Sequence, residues 1–305
     1  MPVTNARISL AADVHEQGVQ TRARRPFPAE VADIFCVDED NEDVTPRIHG
    51  RFSITVVRSA AVIRCESSRS LVAARNSVLL VPALQLYSLR AQSRPTGASV
   101  TLLVGASHLG GLEPIDRAAL VTDVALVEEV EALVTQLSRP VVSIECATTM
   151  RALLGRLTAN AAPIGTTLTR HGTPLGAARD YLRAHLSEPV TITALADVMG
   201  LAESHLIRAF HREFGLPPHA YQTRLRLAAA CELLASGLSV STVAFECGFA
   251  DQSHLSRNFK AVYGLTPATW ASAVGNGARR RTQTAAMQSI APGSRRDLRI
   301  SRAMS

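Results

Sequence analysis

Apolar residues recur through the last third of the chain at helical spacing, and they do so twice in the same arrangement. Ile192, Leu195, Ala196 and Met199 share one face of a short helix; Val240, Val243, Ala244 and Cys247 repeat that face. Thr191 and Ser239 stand just ahead as N-caps. Gly200 and Gly248 follow, and glycine tolerates the left-handed backbone that ends a helix and turns the chain. A second helix is predicted over 203–214 and again over 252–263. Its inward stripe is Leu206, Phe210 and Phe214 in one copy and Leu255, Phe259 and Tyr263 in the other, at i, i+4 and i+8. The copies stand 48 residues apart at Gly200 and Gly248 and 49 apart at Ser204 and Ser253, so one residue is inserted in the second turn. Helix, glycine turn, helix is the helix-turn-helix layout, whose second helix enters a DNA major groove.

A connector links the copies. Pro218 suits a first helical turn, and Tyr221, Leu225, Ala228, Leu233 and Leu234 form its stripe until Gly237 stops it. Its length of roughly 28 Å, with the flanking turns, would hold the two recognition helices about 34 Å apart, one turn of duplex. Two equivalent contacts on one chain imply a partner that itself repeats, and double-stranded DNA does so.

The outward faces of the recognition helices carry the candidate chemistry. Ser204, Ile207, Arg208 and His211 point away from the first stripe, and Gln252, Ser253, Ser256, Arg257 and Lys260 from the second. Arginine on a groove-inserted helix can bond guanine O6 and N7 together, glutamine can pair with adenine, and an isoleucine facing bases meets a thymine methyl. One surface arginine would mean little. Arg208 and Arg257 stand at the same place in two copies of one motif. On the connector, Arg224 is read as a phosphate contact, and Arg226 is divided between that role and an internal ion pair.

These residues resemble the AraC-type family of bacterial transcription regulators. The resemblance covers about Thr173 to Ala273 and is densest over Cys247-Gly248-Phe249, Asp251 to Arg257, Phe259-Lys260 and Tyr263 to Pro267. It implies an all-α domain with a first helix near Pro174 to Leu186, base contacts from the positions matching Ser204, Ile207, Arg208, Gln252, Ser253, Ser256 and Arg257, and action through RNA polymerase. Ile207 departs from the polar residue often found there, and Trp270 replaces the usual tyrosine.

The front of the chain has a different period. Phe52 to Val57, Ala60 to Arg64, Val78 to Val81, Leu86 to Leu89 and Ser99 to Val104 are short β-type runs, some separated by turns such as Asn76-Ser77. Such strands suggest an antiparallel barrel or jelly roll, and the resemblance implies a cupin-like sensor domain. The expected class is therefore α+β: a cupin-like barrel with helices over 26–160, a linker over 161–172, and an all-α double helix-turn-helix domain over 173–275. Metal-binding cupins need a histidine cluster with a carboxylate. Here His49 and His108 stand apart, Arg47 occupies the place of a paired histidine, and Gln85 and Leu86 follow the Pro82 turn without one. A metal-free pocket for a small-molecule effector is expected instead, with His49, Arg51, Arg64 and Tyr87 as polar candidates. Leu126, Val130, Leu133 and Leu137 step by four, three and four, followed by Met150, Leu153, Leu154 and Leu157. Packing onto the barrel and a homodimer seam fit this pattern equally.

Charge does not carry the DNA reading. The net charge is +6 over 305 residues, and Asn276 to Ser305 alone holds seven arginines against one aspartate. The double helix-turn-helix stretch is neutral, with eight basic and eight acidic residues over 173–275. The case rests on where arginines stand. Residues 1–25 and 276–305 read as disordered. The five cysteines are odd in number and lack a Cys-x-x-Cys pair, so neither a disulfide framework nor a zinc site is indicated. No signal pattern or membrane-length apolar run is present, and a cytoplasmic, nucleoid-associated protein is expected. The leading expectation is a regulator without enzymatic activity, metal or cofactor. The alternatives are a cupin-type enzyme tethered to DNA and a helical interaction module that never meets DNA.

Overall fold

The computed structural model describes residues 21–24, 34–39, 46–66, 70–92, 99–110, 115–137, 145–164 and 173–274. The first twenty residues, most of the expected linker and the basic tail lie outside them. The fold is mixed α+β, with sheets in front and helices behind.

Among the described residues, ten strands form two antiparallel sheets. The larger has the order β1 (Thr21–Arg24), β2 (Ile34–Glu39), β8 (Ser99–Val104), β3 (Phe52–Val57), β6 (Ser77–Val81), β9 (Ala119–Val121) and β10 (Ala162–Pro163); the smaller has the order β5 (Leu71–Ala73), β4 (Ala61–Cys65) and β7 (Tyr87–Ala91). Among the described strands the sheets do not close into the expected barrel. β3 and β6 are buried throughout, which explains why both read as continuous apolar runs rather than alternating ones. Two boundaries differ from expectation. Thr21–Arg24, assigned to a disordered terminus, pairs with β2, and Ala162–Pro163, assigned to the linker, pairs with β9. Each strand has only two to four residues, too few to show a period.

Helices α1 (Val124–Leu137) and α2 (Glu145–Ala159) cover the larger sheet. Leu126, Val130, Leu133 and Leu137 are buried with Met150, Leu153, Leu154 and Leu157 in one cluster with sheet residues such as Ile54 and Leu102. That stripe is packed within the chain, so of the two readings that fitted it equally, packing onto the sheet is the one observed.

The rear domain follows the predicted pattern closely. Its helices are α3 (Pro174–Ala184), α4 (Ile192–Met199), α5 (Glu203–Phe214), α6 (Pro218–Ala235), α7 (Val240–Glu246), α8 (Gln252–Tyr263) and α9 (Pro267–Val274). Thr191 and Ser239 cap as expected, their hydroxyls accepting from the Ala194 and Thr242 amides. Gly200 and Gly248 adopt φ of 64° and 73°.

Two clusters hold this domain, and each includes residues from the front. Ile48 and Leu86 join Leu206, Phe210, Phe214 and Tyr221 in the cluster of the first unit, α4–α5. Ala23 and Leu103 join Phe259, Tyr263 and Trp270 in that of the second unit, α7–α8. The connector helix α6 contributes to both. The two domains are thus one packed body rather than beads on a linker.

Candidate nucleic-acid interface

Each recognition helix buries one stripe and leaves the opposite face in solvent. On α5, Leu206, Phe210 and Phe214 are buried while Ser204, Ile207, Arg208 and His211 are exposed. On α8, Leu255, Phe259 and Tyr263 are buried, Gln252, Ser253, Arg257 and Lys260 are exposed, and Ser256 is half-buried. The stripe therefore orients the polar face: with Phe210 and Phe259 locked inside, Arg208 and Arg257 must point out. Exposed, extended arginines on a helix that is itself rigidly seated can insert into a groove and reach base edges.

The two helices begin differently. Asp251 caps α8, its carboxylate accepting from the His254 amide at 2.7 Å. Ala202 holds the same helix position ahead of α5 and supplies no side-chain hydrogen bond. The residue inserted in the second copy is what places Asp251 there. His254 also meets the Phe249 ring edge-on at 5.4 Å, tying the second turn to its helix.

The connector arginines have other work. Arg224, read as a phosphate contact, donates from Nε to the Pro46 carbonyl at 2.8 Å, and burial lowers its pKa. It belongs to the domain junction; a solvated phosphate would have to compete with a preformed carbonyl contact. Arg226 turns inward as one of its two readings held, but toward carbonyls rather than an acidic partner.

The residues assigned to an effector pocket lie at the same junction. His49 is buried, hydrogen-bonded to the Tyr87 hydroxyl at 3.0 Å, with its ring 6.3 Å from that of Tyr263 on α8. Burial, and then the Arg47 charge, lower its pKa to about 3, so the ring is neutral. The Tyr263 hydroxyl donates to the Ile48 carbonyl at 3.2 Å. Arg51 forks onto Glu232 of α6, Nε at 2.9 Å from both carboxylate oxygens and Nη2 at 2.7 Å from one. These side chains bind the two domains together. Arg64, another polar candidate, donates to the Arg212 carbonyl at the end of α5 at 3.2 Å.

The residue missed by sequence reasoning is Glu66, only 9% exposed. Tyr221 donates to it at 3.1 Å, Arg183 at 3.2 Å and the Leu86 amide at 3.3 Å, while Arg179 stands at 3.7 Å. Burial raises its carboxyl pKa, and the two arginines pull the other way. Only a buried charge with this many partners is tolerable in such a place. Nothing local in the sequence marks it, because its side-chain partners lie more than a hundred residues away.

Among the described residues, no group of three or more His, Cys, Asp or Glu side chains converges as a metal site, and no helix is long and apolar enough to cross a membrane. Cys65, Cys231 and Cys247 are buried, and burial raises all three thiol pKa values, to about 12 for Cys65 and Cys247. Such thiols are poor nucleophiles.

Comparison with known proteins agrees with this geometry. Residues 195–273 match the profile of a family described as "Helix-turn-helix domain". The chain is 36% identical over 89 residues to the probable transcriptional regulator LumQ of Photobacterium leiognathi, covering 29% of this chain and 36% of LumQ. It is 41% identical over 88 residues to the transcriptional activator RhaS of Escherichia fergusonii, covering 28% of this chain and 32% of RhaS. Over this segment the chain is similar to the helix-turn-helix domain of AraC-type transcriptional regulators. Its matched segment spans about a third of the length of these curated relatives and coincides with the AraC-type domain. Among solved structures, apo ToxT from Vibrio cholerae aligns over 85% of this chain and 98% of its own, at 10% identity and a TM-score of 0.47.

Proposed function

We propose that the chain reads specific sites in double-stranded promoter DNA with α5 and α8 entering successive major grooves, and that its front domain is the regulatory, effector-responsive part. One observation carries this: two copies of one unit each bury an aromatic stripe and present an arginine, Arg208 or Arg257, at the equivalent exposed position. Ser204, Gln252, Ser253 and Ser256 supply further base or phosphate contacts, and His211 and Lys260 flank them. Because the junction covers α6 and leaves both outward faces open, an effector would act by changing how the units are held, not by uncovering them.

The test is selection of bound duplexes from a random library by the full-length protein, followed by gel-shift titration. Two half-sites about 10 base pairs apart are expected. Enrichment of no sequence, or equal weakening of selected and scrambled duplex by Arg208→Ala and Arg257→Ala, would overturn base reading by these arginines.

A further inference from the structure

The turn that leads from α3 into the first helix-turn-helix unit meets the turn of the second unit away from either recognition face. The turn after α3 presents the carbonyls of His185, Leu186 and Glu188 toward α6. The Gln222 side chain, buried at 4% exposure, donates to His185 O at 3.1 Å and to Glu188 O at 2.9 Å. One helical turn on, Arg226 spreads its guanidinium across both units. Nε donates to Leu186 O at 2.6 Å and Nη2 to Glu188 O at 2.9 Å, on the side of unit one. Nη1 donates to Gly248 O at 2.8 Å, in the turn of unit two.

Gly248 brings the second half of the contact. A Cβ at this position would run into the Ser187 carbonyl, and its φ of 73° is one that side chains rarely adopt. Gly200, its counterpart in unit one, also has positive φ, yet a Cβ there would meet nothing within 4 Å. Gly200 is required by its turn alone. Gly248 is required by its turn and by the approach of one unit to the other.

We propose that Arg226 and Gly248 form a clasp that fixes the relative orientation of α5 and α8, and so makes Arg226 a positioning residue for the spacing of DNA half-sites. This rests on both helices reading DNA, as argued above. The connector sets the distance between units, but each unit joins it through a short turn about which it can pivot. The guanidinium fork, holding carbonyls of both units at once, removes that freedom. Linked binding units reinforce each other only when their geometry matches the two sites together. Lysine keeps the charge but offers a single ammonium on a flexible stem, and cannot span the same carbonyls.

The experiment uses the full-length chain with Arg226→Lys, the duplex selected by the wild-type protein, each half-site alone, and duplexes with one to three base pairs inserted between half-sites. Arg226→Lys is expected to weaken the full site by about tenfold while changing each half-site by less than about twofold, and to flatten the preference among spacings. A preserved spacing preference, or parallel losses on half-sites and full site, would overturn the clasp. A second measurement needs no DNA. Spin labels on Ser204→Cys and Ser253→Cys, with Cys36→Ser and Cys146→Ser, should give a narrow interlabel distance that broadens with Arg226→Lys. An unchanged distribution sinks the proposal. If no duplex is ever selected, the DNA reading fails, and the label distances still decide the clasp.

Discussion

The two helix-turn-helix units share a pattern and differ in what holds them. Unit one takes part of its core from the front domain, through Ile48 and Leu86, and is braced by Glu66 against Arg179, Arg183 and Tyr221. Unit two also takes Ala23 and Leu103 from the front, but it adds an aromatic group, with the Trp270 ring 6.1 Å from both Phe259 and Tyr263, and it caps its recognition helix with Asp251. A repeated sequence therefore sets the shape of a unit, while the neighbours decide its stiffness. Through Glu66 the front domain has a buried polar hold on α3 and α6, the helices beside unit one.

The largest way to break this asymmetry is Glu66→Ala. It leaves two arginines and a tyrosine hydroxyl facing a buried space without their carboxylate, and such losses cost about 3–5 kcal/mol. Hydrogen exchange should quicken in α3, α5 and the start of α6 well before α8. Equal loosening of both units would show that they do not differ as described.

Next come the reading arginines. Arg208→Ala and Arg257→Ala should each weaken specific binding by about 1–3 kcal/mol, measured by gel-shift titration. The stiffer, capped α8 loses less entropy on docking, so the Arg257 change should lie nearer the upper end. Arg224→Ala should loosen the domain junction, since its Nε holds the Pro46 carbonyl.

The junction of unit two carries a histidine that links its stability to acid pH. His49 lies against Tyr87, Arg47 and Tyr263 and stays neutral in the fold, with a pKa near 3 against 6.5 for a free histidine. Between those values the unfolded chain binds the extra proton, so stability falls as pH drops below 6.5 and levels off near 3. At pH 5.5 this group should cost about 1.4 kcal/mol. Chemical denaturation of wild type and His49→Phe at pH 7.5 and 5.5 checks it; an identical acid loss in both would assign the effect elsewhere.

How much of this was legible beforehand divides along chain distance. Recognition helices, caps and glycine turns were readable because each depends on residues within a few positions, such as Thr191 to Ala194 or Phe210 to Phe214. Strands β3, β6 and β8 were readable as apolar runs, whereas β5 and β9, three residues each, have no room for a pattern. The junction was not readable. Arg51 and Glu232 are 181 residues apart, and Arg224 and Pro46 are 178 apart. A lone arginine looks the same in sequence whether it meets a phosphate, a carboxylate or a carbonyl. The stripe on α1 shows the same limit: periodicity told which face is apolar, and only the fold told what covers it.

The smallest test works on the helix starts. Ala202 has the extended backbone of an N-cap, φ −67° and ψ 140°, but no side-chain acceptor. Ala202→Ser supplies one at an exposed position and should stabilise unit one by about 0.5–1 kcal/mol. Asp251→Ala should take a similar amount from unit two. Both changes together should reverse the order in which α5 and α8 exchange amide hydrogens at their first turns. Persistence of the original order would mean that the caps are incidental and that the contrast between the units resides wholly in the cores and the junction.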